Sequence, residues 1–205
     1  MRVETYFREN SKKIKVFYNA TKLVLAVIFL LFFVLFGINW AQKKFFYPLE
    51  YTEYVNASAE KYGLDPAVIY AVIKIESGFK RDVESKKGAK GLMQITDGTA
   101  EYIAKLLGVK EYNLLDEKTN IEFGSFYLRY LLNKFTALET AIVAYNAGEG
   151  VVSYWLSQKQ YSDDQITLKA IPYKETRDYI KKFNKSFAKY HKLYGNILDK
   201  PKNFE

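Results

Sequence analysis

The residue in this chain with the most chemistry to offer is a carboxylate in an apolar setting. Ile69, Val72, Ile73 and Glu76 stand at i, i+3, i+4 and i+7, so a helix through them puts the glutamate on one stripe with three aliphatic side chains. Burial there disfavours the ionised form and raises the carboxyl pKa, which is what a general acid working near neutral pH requires. The alternative is that Glu76 only reaches the rim at the helix end or pairs with a Lys or Arg, and periodicity alone leaves that open. Other chemistries are narrowed by composition. The absence of cysteine removes disulfides, thiolate zinc sites and thiol nucleophiles. A single histidine, His191, rules out most metal constellations and a histidine-based triad.

The residues around Glu76 and further along the chain form ordered blocks. Glu76-Ser77-Gly78-Phe79 is followed by Gly88-Ala89-Lys90-Gly91-Leu92-Met93-Gln94, and then by Asn120, Gly124, Tyr127 and Leu128. Next come Ala144-Tyr145-Asn146-Ala147-Gly148 with Gly150 and Trp155, and last Ile171-Pro172 with Glu175-Thr176 and Tyr179. Together, across residues 51 to 185, these blocks resemble the lytic transglycosylase family of the soluble-lytic-transglycosylase type, within the lysozyme-like superfamily. The resemblance implies a mainly α, lysozyme-like catalytic domain, of the goose-type kind in an α+β superfamily. It also implies cleavage of the β-1,4 bond between N-acetylmuramic acid and N-acetylglucosamine, leaving a 1,6-anhydromuramic acid end, with no metal and no cofactor. Carried over position by position, it makes Glu76 the catalytic acid and base. It places Ser85, Met93, Gln94, Tyr145, Asn146, Glu175 and Tyr179 along the cleft that takes peptidoglycan glycan strands.

Sugar recognition calls for amide and hydroxyl hydrogen bonds beside flat apolar surfaces, and those residue types supply both. Each also has a plainer reading: Met93 and Tyr145 as core filling, Gln94 as a loop cap, Glu175 as a favourable charge at a helix N-terminus. Two departures from the family pattern stand out. Lys80-Arg81 occupies a place where Asn-Pro is common, and Asp97 one where Pro often follows the glutamine block. The cations would draw acidic stem peptides or wall polymers. Two other functions fit the same fold, a water-using muramidase and a non-catalytic glycan-binding protein. The presence of Glu76 argues against the second; the first turns on whether another carboxylate reaches the far side of the scissile bond.

The elements that must position these groups read as helices separated by Gly and Pro, without alternating strands. They are expected at about 51–62, 66–77, 99–107, 120–135, 139–145, 151–156 and 173–194, with a glycine-bearing loop over 78–98. Asp65-Pro66 supplies an N-cap and a first-position proline for the helix that carries Glu76. Ile121, Gly124, Leu128, Leu131, Leu132 and Phe135 trace a packing stripe on the longest of the middle helices. His191, beyond the matching blocks, is expected at the surface.

Ahead of this domain, Leu23 to Ile38 reads LVLAVIFLLFFVLFGI without a charge, and with Trp40 and Ala41 it approaches the roughly 20 residues that cross a bilayer. The expected layout is a basic cytoplasmic arm at 1–22, a signal-anchor span at 23–41, a linker at 42–50 and the catalytic domain at 51–205; the competing readings of the apolar run are a cleaved signal peptide, whose apolar region usually runs about 7 to 15 residues, and a buried soluble helix. Half of the net charge of +8 belongs to the arm, where six Lys or Arg face two Glu, so the excess needs no nucleic acid partner. The positive-inside rule then puts the N-terminus in the cytoplasm of a single-pass protein of the bacterial cytoplasmic membrane, with the domain outside. Protease added to intact, wall-stripped cells is expected to digest the C-terminal domain and spare an N-terminal tag; digestion of the tag would reverse the orientation.

Overall fold

The computed structural model describes residues 2–195 and 197–198, in two units that divide between Pro48 and Leu49. In the first, a single helix α1 (Arg2–Ala41) runs on into a π-helical turn, Gln42–Phe46. No helix break marks the expected boundary between arm and span. The segment Phe17–Phe46, of 30 residues, is long and apolar enough to cross a membrane, and its Leu, Ile and Phe side chains are exposed. At its far end Lys44 Nζ lies 5.0 Å from the centre of the Trp40 ring, a pairing suited to a membrane–water interface. The arm's side chains at 2–14 and 16, and the end of the expected domain at 196 and 199–205, lie outside the described residues.

The second unit is built from α2 (Thr52–Tyr62), α3 (Pro66–Glu76), α4 (Asp97–Leu107), α5 (Glu117–Phe135), α6 (Leu138–Ala147), α7 (Glu149–Ser157) and α8 (Lys174–Tyr194). Among the described residues there is no strand; two isolated bridges, Glu84 with Lys90 and Lys90 with Ile95, pin the loop after α3. The expected helices are all present. The helices expected from 99, 120, 139 and 151 begin one to three residues earlier; for the first two the caps lie outside the apolar pattern, Thr96 Oγ1 accepting from Thr99 N at 3.3 Å and Asp116 Oδ2 from Thr119 N at 2.9 Å.

The core forms around α3, whose residues from Pro66 to Ile73 are all buried. Asp65 Oδ1 caps its start by accepting from Ala67 N at 2.9 Å, with Pro66 at the first helical position, as the sequence predicts. Helix α8 packs along it: the Tyr70 and Tyr190 rings stack at 5.3 Å. His191 differs from expectation. It is half-buried, with Nε2 2.9 Å from Asp65 Oδ2, tying the end of α8 to the start of α3. On the opposite flank α5 buries Ile121, Gly124, Leu128, Leu131 and Phe135, with Leu132 half-buried at the edge of the stripe. Arg129 of α5 donates to the carbonyls of Tyr62 and Gly63, closing the turn between α2 and α3.

The long loop between α3 and α4 is held by one side chain. Asn120 is 1% exposed; its Oδ1 accepts from Met93 N at 2.7 Å, and its Nδ2 donates to Lys90 O at 2.9 Å and Leu114 O at 2.8 Å. An amide that meets three backbone groups at once ties this loop, and the connection between α4 and α5 at Leu114, to the start of α5. Two glycines make room for this arrangement. Gly91 has φ +77, and a Cβ there would collide with the Asn120 amide; one at Gly124 would collide with the Met93 thioether that lies across α5.

Candidate active site

Glu76 is the last residue of α3, and the helix stops abruptly after it. Ser77 Oγ donates back to Ile73 O at 3.1 Å and accepts from Phe79 N at 3.2 Å, while Gly78 and Phe79 both take left-handed backbone, φ +59 and +70. A left-handed Phe costs about 1–2 kcal/mol, and it persists because its ring is buried, 6.4 Å from that of Tyr70. The carboxyl is thus fixed at the C-terminal end of a buried helix, where the helix dipole also disfavours negative charge.

Helix α8 supplies its partner. The Tyr179 hydroxyl donates to Glu76 Oε1 at 2.7 Å, from a side chain that is itself buried. Burial pushes the Glu76 carboxyl up to about 7; the Tyr179 hydrogen bond pulls the other way, and the charge of Glu175 adds a smaller upward push. No cation enters that balance. The alternative of a glutamate paired with Lys or Arg therefore does not describe this residue, which is half-buried at the end of α3. Tyr145, on α6, brings a second phenol close enough to feel the Glu76 charge, and its hydroxyl donates to Met93 O at 2.8 Å. Burial holds the Tyr145 and Tyr179 hydroxyls far above the ordinary tyrosine value, so both remain neutral donors.

The other residues expected in the cleft separate into groups. The Met93 side chain is fully buried against Gly124, so it meets the site only through its carbonyl. Gln94 has φ +50, and its Nε2 donates to Val83 O at 3.0 Å and Gly91 O at 2.9 Å; its amide nitrogen braces the loop. Ser85 Oγ accepts from Lys87 N at 3.3 Å and Ala89 N at 3.0 Å within a turn of that loop. Asn146 is half-buried near the end of α6, and among the described residues its side chain makes no hydrogen bond. Glu175 is exposed in the first turn of α8, 3.8 Å from Lys87 Nζ, and acts on Glu76 only through its field.

The two departures from the family pattern have local explanations. Asp97 takes Lys90 Nζ at 2.8 and 2.9 Å across the loop. Arg81 is held by Glu117 at 2.7 Å and Asp82 at 3.5 Å, which offsets much of the positive charge expected there and leaves Lys80 as the exposed cation. Two residues matter more than their place in the sequence pattern suggests. Asn120 orders the loop, and Tyr127 places its ring 5.6 Å from that of Tyr145, with burial pushing its hydroxyl up to about 12. Their signal in the sequence is the spacing from Gly124 on α5: a turn before and a turn after.

A helical domain that presents a half-buried carboxylic acid without a counter-cation, at the end of its central helix, is lysozyme-like in architecture. Residues 53–168 match the Transglycosylase SLT domain, and the chain belongs to that family. It is 32% identical over 165 residues to the soluble lytic murein transglycosylase of Salmonella typhimurium, covering 78% of this chain and 26% of that one. It is 31% identical over 168 residues to the membrane-bound lytic murein transglycosylase C of Photorhabdus laumondii, covering 69% and 47%. Among solved structures, an inactive Glu-to-Gln variant of lytic transglycosylase Slt from Pseudomonas aeruginosa superposes with a TM-score of 0.66 at 28% identity, covering 77% of this chain and 26% of that one. The 70 kDa soluble lytic transglycosylase of Escherichia coli does so with 0.65 at 32%, covering 76% and 26%. The chain thus spans about a quarter of the length of these soluble relatives.

The raised pKa has a consequence for stability. The folded protein binds the Glu76 proton more tightly than the unfolded chain, so this contribution is fully present below about 4.5 and is lost as pH rises through about 7. Glu76→Gln removes that loss. The variant's stability relative to the parent is expected to rise between pH 4 and pH 8 by about 3 kcal/mol, measured by denaturant unfolding at the two pH values. A pH-independent difference would mean that the carboxyl is not shifted.

Proposed function

We propose that the chain is a membrane-anchored lytic transglycosylase that cleaves the peptidoglycan glycan strand between N-acetylmuramic acid and N-acetylglucosamine. The observation that carries the reading is the Glu76 carboxyl: half-buried, raised to about 7 by desolvation and bonded to a neutral phenol, with no counter-cation. Such a group is partly protonated at neutral pH and can both give and take a proton there. In the first step Glu76 donates its proton to the bridging oxygen, and the bond from that oxygen to the muramic acid C1 breaks. The substrate's own N-acetyl group stabilises the positive charge at C1, oriented by the amide of Asn146 and the Oε1 of Gln94. In the second step the Glu76 carboxylate removes the proton of the muramic acid 6-hydroxyl as that oxygen bonds to C1. The ring closes as a 1,6-anhydro sugar, Glu76 regains its proton and no water is consumed.

The geometry favours this route over hydrolysis because the one nearby carboxylate of another element, Glu175, is solvent-exposed and faces Lys87 rather than standing buried across from Glu76. An attacking hydroxyl already attached to the sugar has a high effective molarity, so no activated water is needed. The inactivity of the Glu-to-Gln variant of the Pseudomonas relative supports a glutamate-dependent reaction in the family. In the same reading Phe17–Phe46 is the anchor, and the basic arm before it stays in the cytoplasm with the domain outside. The membrane-bound relatives support an enzyme held at the membrane.

Turnover of purified peptidoglycan by Glu76→Gln is expected to fall by about 10²- to 10⁴-fold with glycan binding retained. Mass analysis of the parent's products should find muramic acid ends lighter by one water than the hydrolysed sugar, without oxygen from isotopically labelled solvent. Reducing ends carrying the solvent label would establish the muramidase instead, and full activity of the variant would remove Glu76 from the mechanism.

A further inference from the structure

Helix α8 has two unlike faces. One, with Tyr179, Phe183, Ser186 and Tyr190, is buried. The other carries Lys181, Lys182, Lys185, Lys189 and Lys192, and no acidic residue occurs from 179 to 195. At 3.6 residues per turn these five fall within an arc of about 100° on the side away from the buried stripe. Lys189 is half-buried and the other four are exposed. Among the described residues Lys182, Lys185 and Lys192 make no ion pair, whereas Lys174, at the start of the helix, is taken by Asp178 at 2.5 Å. Residues 42–205 carry a net charge of +4 and this run alone carries +5, so it holds the whole excess. Like charges a turn apart destabilise a helix, and the helix dipole accounts only for the cation in the last turn, Lys192. The packing of α8 on α3 needs none of the five.

The point where the chain enters the catalytic unit indicates what this surface meets. Five residues, 47 to 51, join the π-helical turn to α2, and fully extended they span at most about 18 Å. Thr52 opens α2; its Oγ1 accepts from the Tyr70 hydroxyl at 3.0 Å, and the Tyr70 ring stacks on Tyr190, within the lysine run. The chain that follows the membrane span therefore arrives beside the basic half of α8. We infer that this half of α8 is a docking surface for anionic phospholipid, its lysines set against the headgroup phosphates of the bilayer that anchors the chain. The inference rests on the membrane-anchored reading above and adds an orientation to it. Lysines are drawn to an anionic bilayer cumulatively, and the attraction fades within a screening length, so it acts only on a surface held close by a short tether. Tyr179 is on the opposite face of α8 and about 20 Å along its axis from Lys192, so lipid at the lysines leaves the Glu76 site uncovered.

The full chain is reconstituted into nanodiscs of phosphatidylcholine alone, or of phosphatidylcholine and phosphatidylglycerol in equal parts. Its amines are acylated briefly and the modified lysines are mapped by mass spectrometry. Modification of Lys182, Lys185 and Lys192 is expected to fall by about 5-fold in the anionic discs, the scale of one lysine at a charged surface. Lys105 and Lys110, exposed on α4 and just after it, should not change. Salt at about 1 M, which screens charges beyond about 3 Å, should remove the protection. The paired substitutions Lys182→Glu and Lys185→Glu, both at exposed positions that leave the core intact, should remove it at Lys192. Equal modification in the two lipids, an equal fall at Lys105 and Lys110, or protection that survives high salt or the charge reversal would each overturn the docking surface and leave the anchor standing. Protection by soluble polyphosphate in phosphatidylcholine discs, with no effect of phosphatidylglycerol, would assign the face to a polyanion other than lipid and overturn it as well. A chain that does not enter the discs would overturn the anchored reading, and this inference with it.

Discussion

Desolvating much of a carboxylic acid without giving it a counter-charge is the constraint around which this domain is arranged. A cation beside Glu76 would hold it ionised and unable to donate; full hydration would do the same near its ordinary value of 4.5. The structure instead gives it apolar surroundings on α3 and a single neutral donor, Tyr179, at 2.7 Å. That choice has structural costs elsewhere. Helix α8 has to lie along α3 for its Tyr179 to arrive, which the Tyr70–Tyr190 stack and the His191–Asp65 contact, both near the C-terminal end of α8, help to secure. The chain must also leave Glu76 at once, which it does through two consecutive left-handed residues, Gly78 and Phe79.

The loop between α3 and α4 solves a different problem: a long irregular segment, with only two isolated bridges of its own, must present fixed groups beside the acid. Asn120 does most of this from α5, and Gln94 adds two bonds from within the loop. Both are amides, able to donate and accept at once, and both satisfy backbone groups that the loop would otherwise leave unpaired. Met93 then lies over Gly124, and its carbonyl receives Tyr145. Loop, α5 and α6 are therefore linked in one chain of contacts that ends at a phenol facing Glu76.

Much of this is legible in the sequence. The helix carrying Glu76, its Asp65-Pro66 start and the stripe on α5 follow from local rules of capping and periodicity, which depend on neighbours along the chain. The uncharged run in α1 is equally plain. Contacts between side chains that meet across the fold are harder to read. Tyr179 is 103 residues from Glu76, and nothing in the spacing of either announces the hydrogen bond between them. His191 reads as a surface residue because its partner Asp65 lies far away in the chain, at the start of another helix. The family resemblance draws Met93 and Gln94 toward the cleft, yet one places its side chain in the core and the other its amide nitrogen in the loop.

The protonation state of the Glu76 carboxyl decides whether this chemistry can run at neutral pH. Its titration can be followed directly by carbon-detected NMR on protein labelled at the glutamate side-chain carboxyls, with Glu76→Gln identifying the resonance. A midpoint of about 7 is predicted for this one glutamate. A midpoint near 4.5 would show a solvated or charge-paired carboxylate and contradict the desolvated acid without a counter-cation on which the mechanism rests.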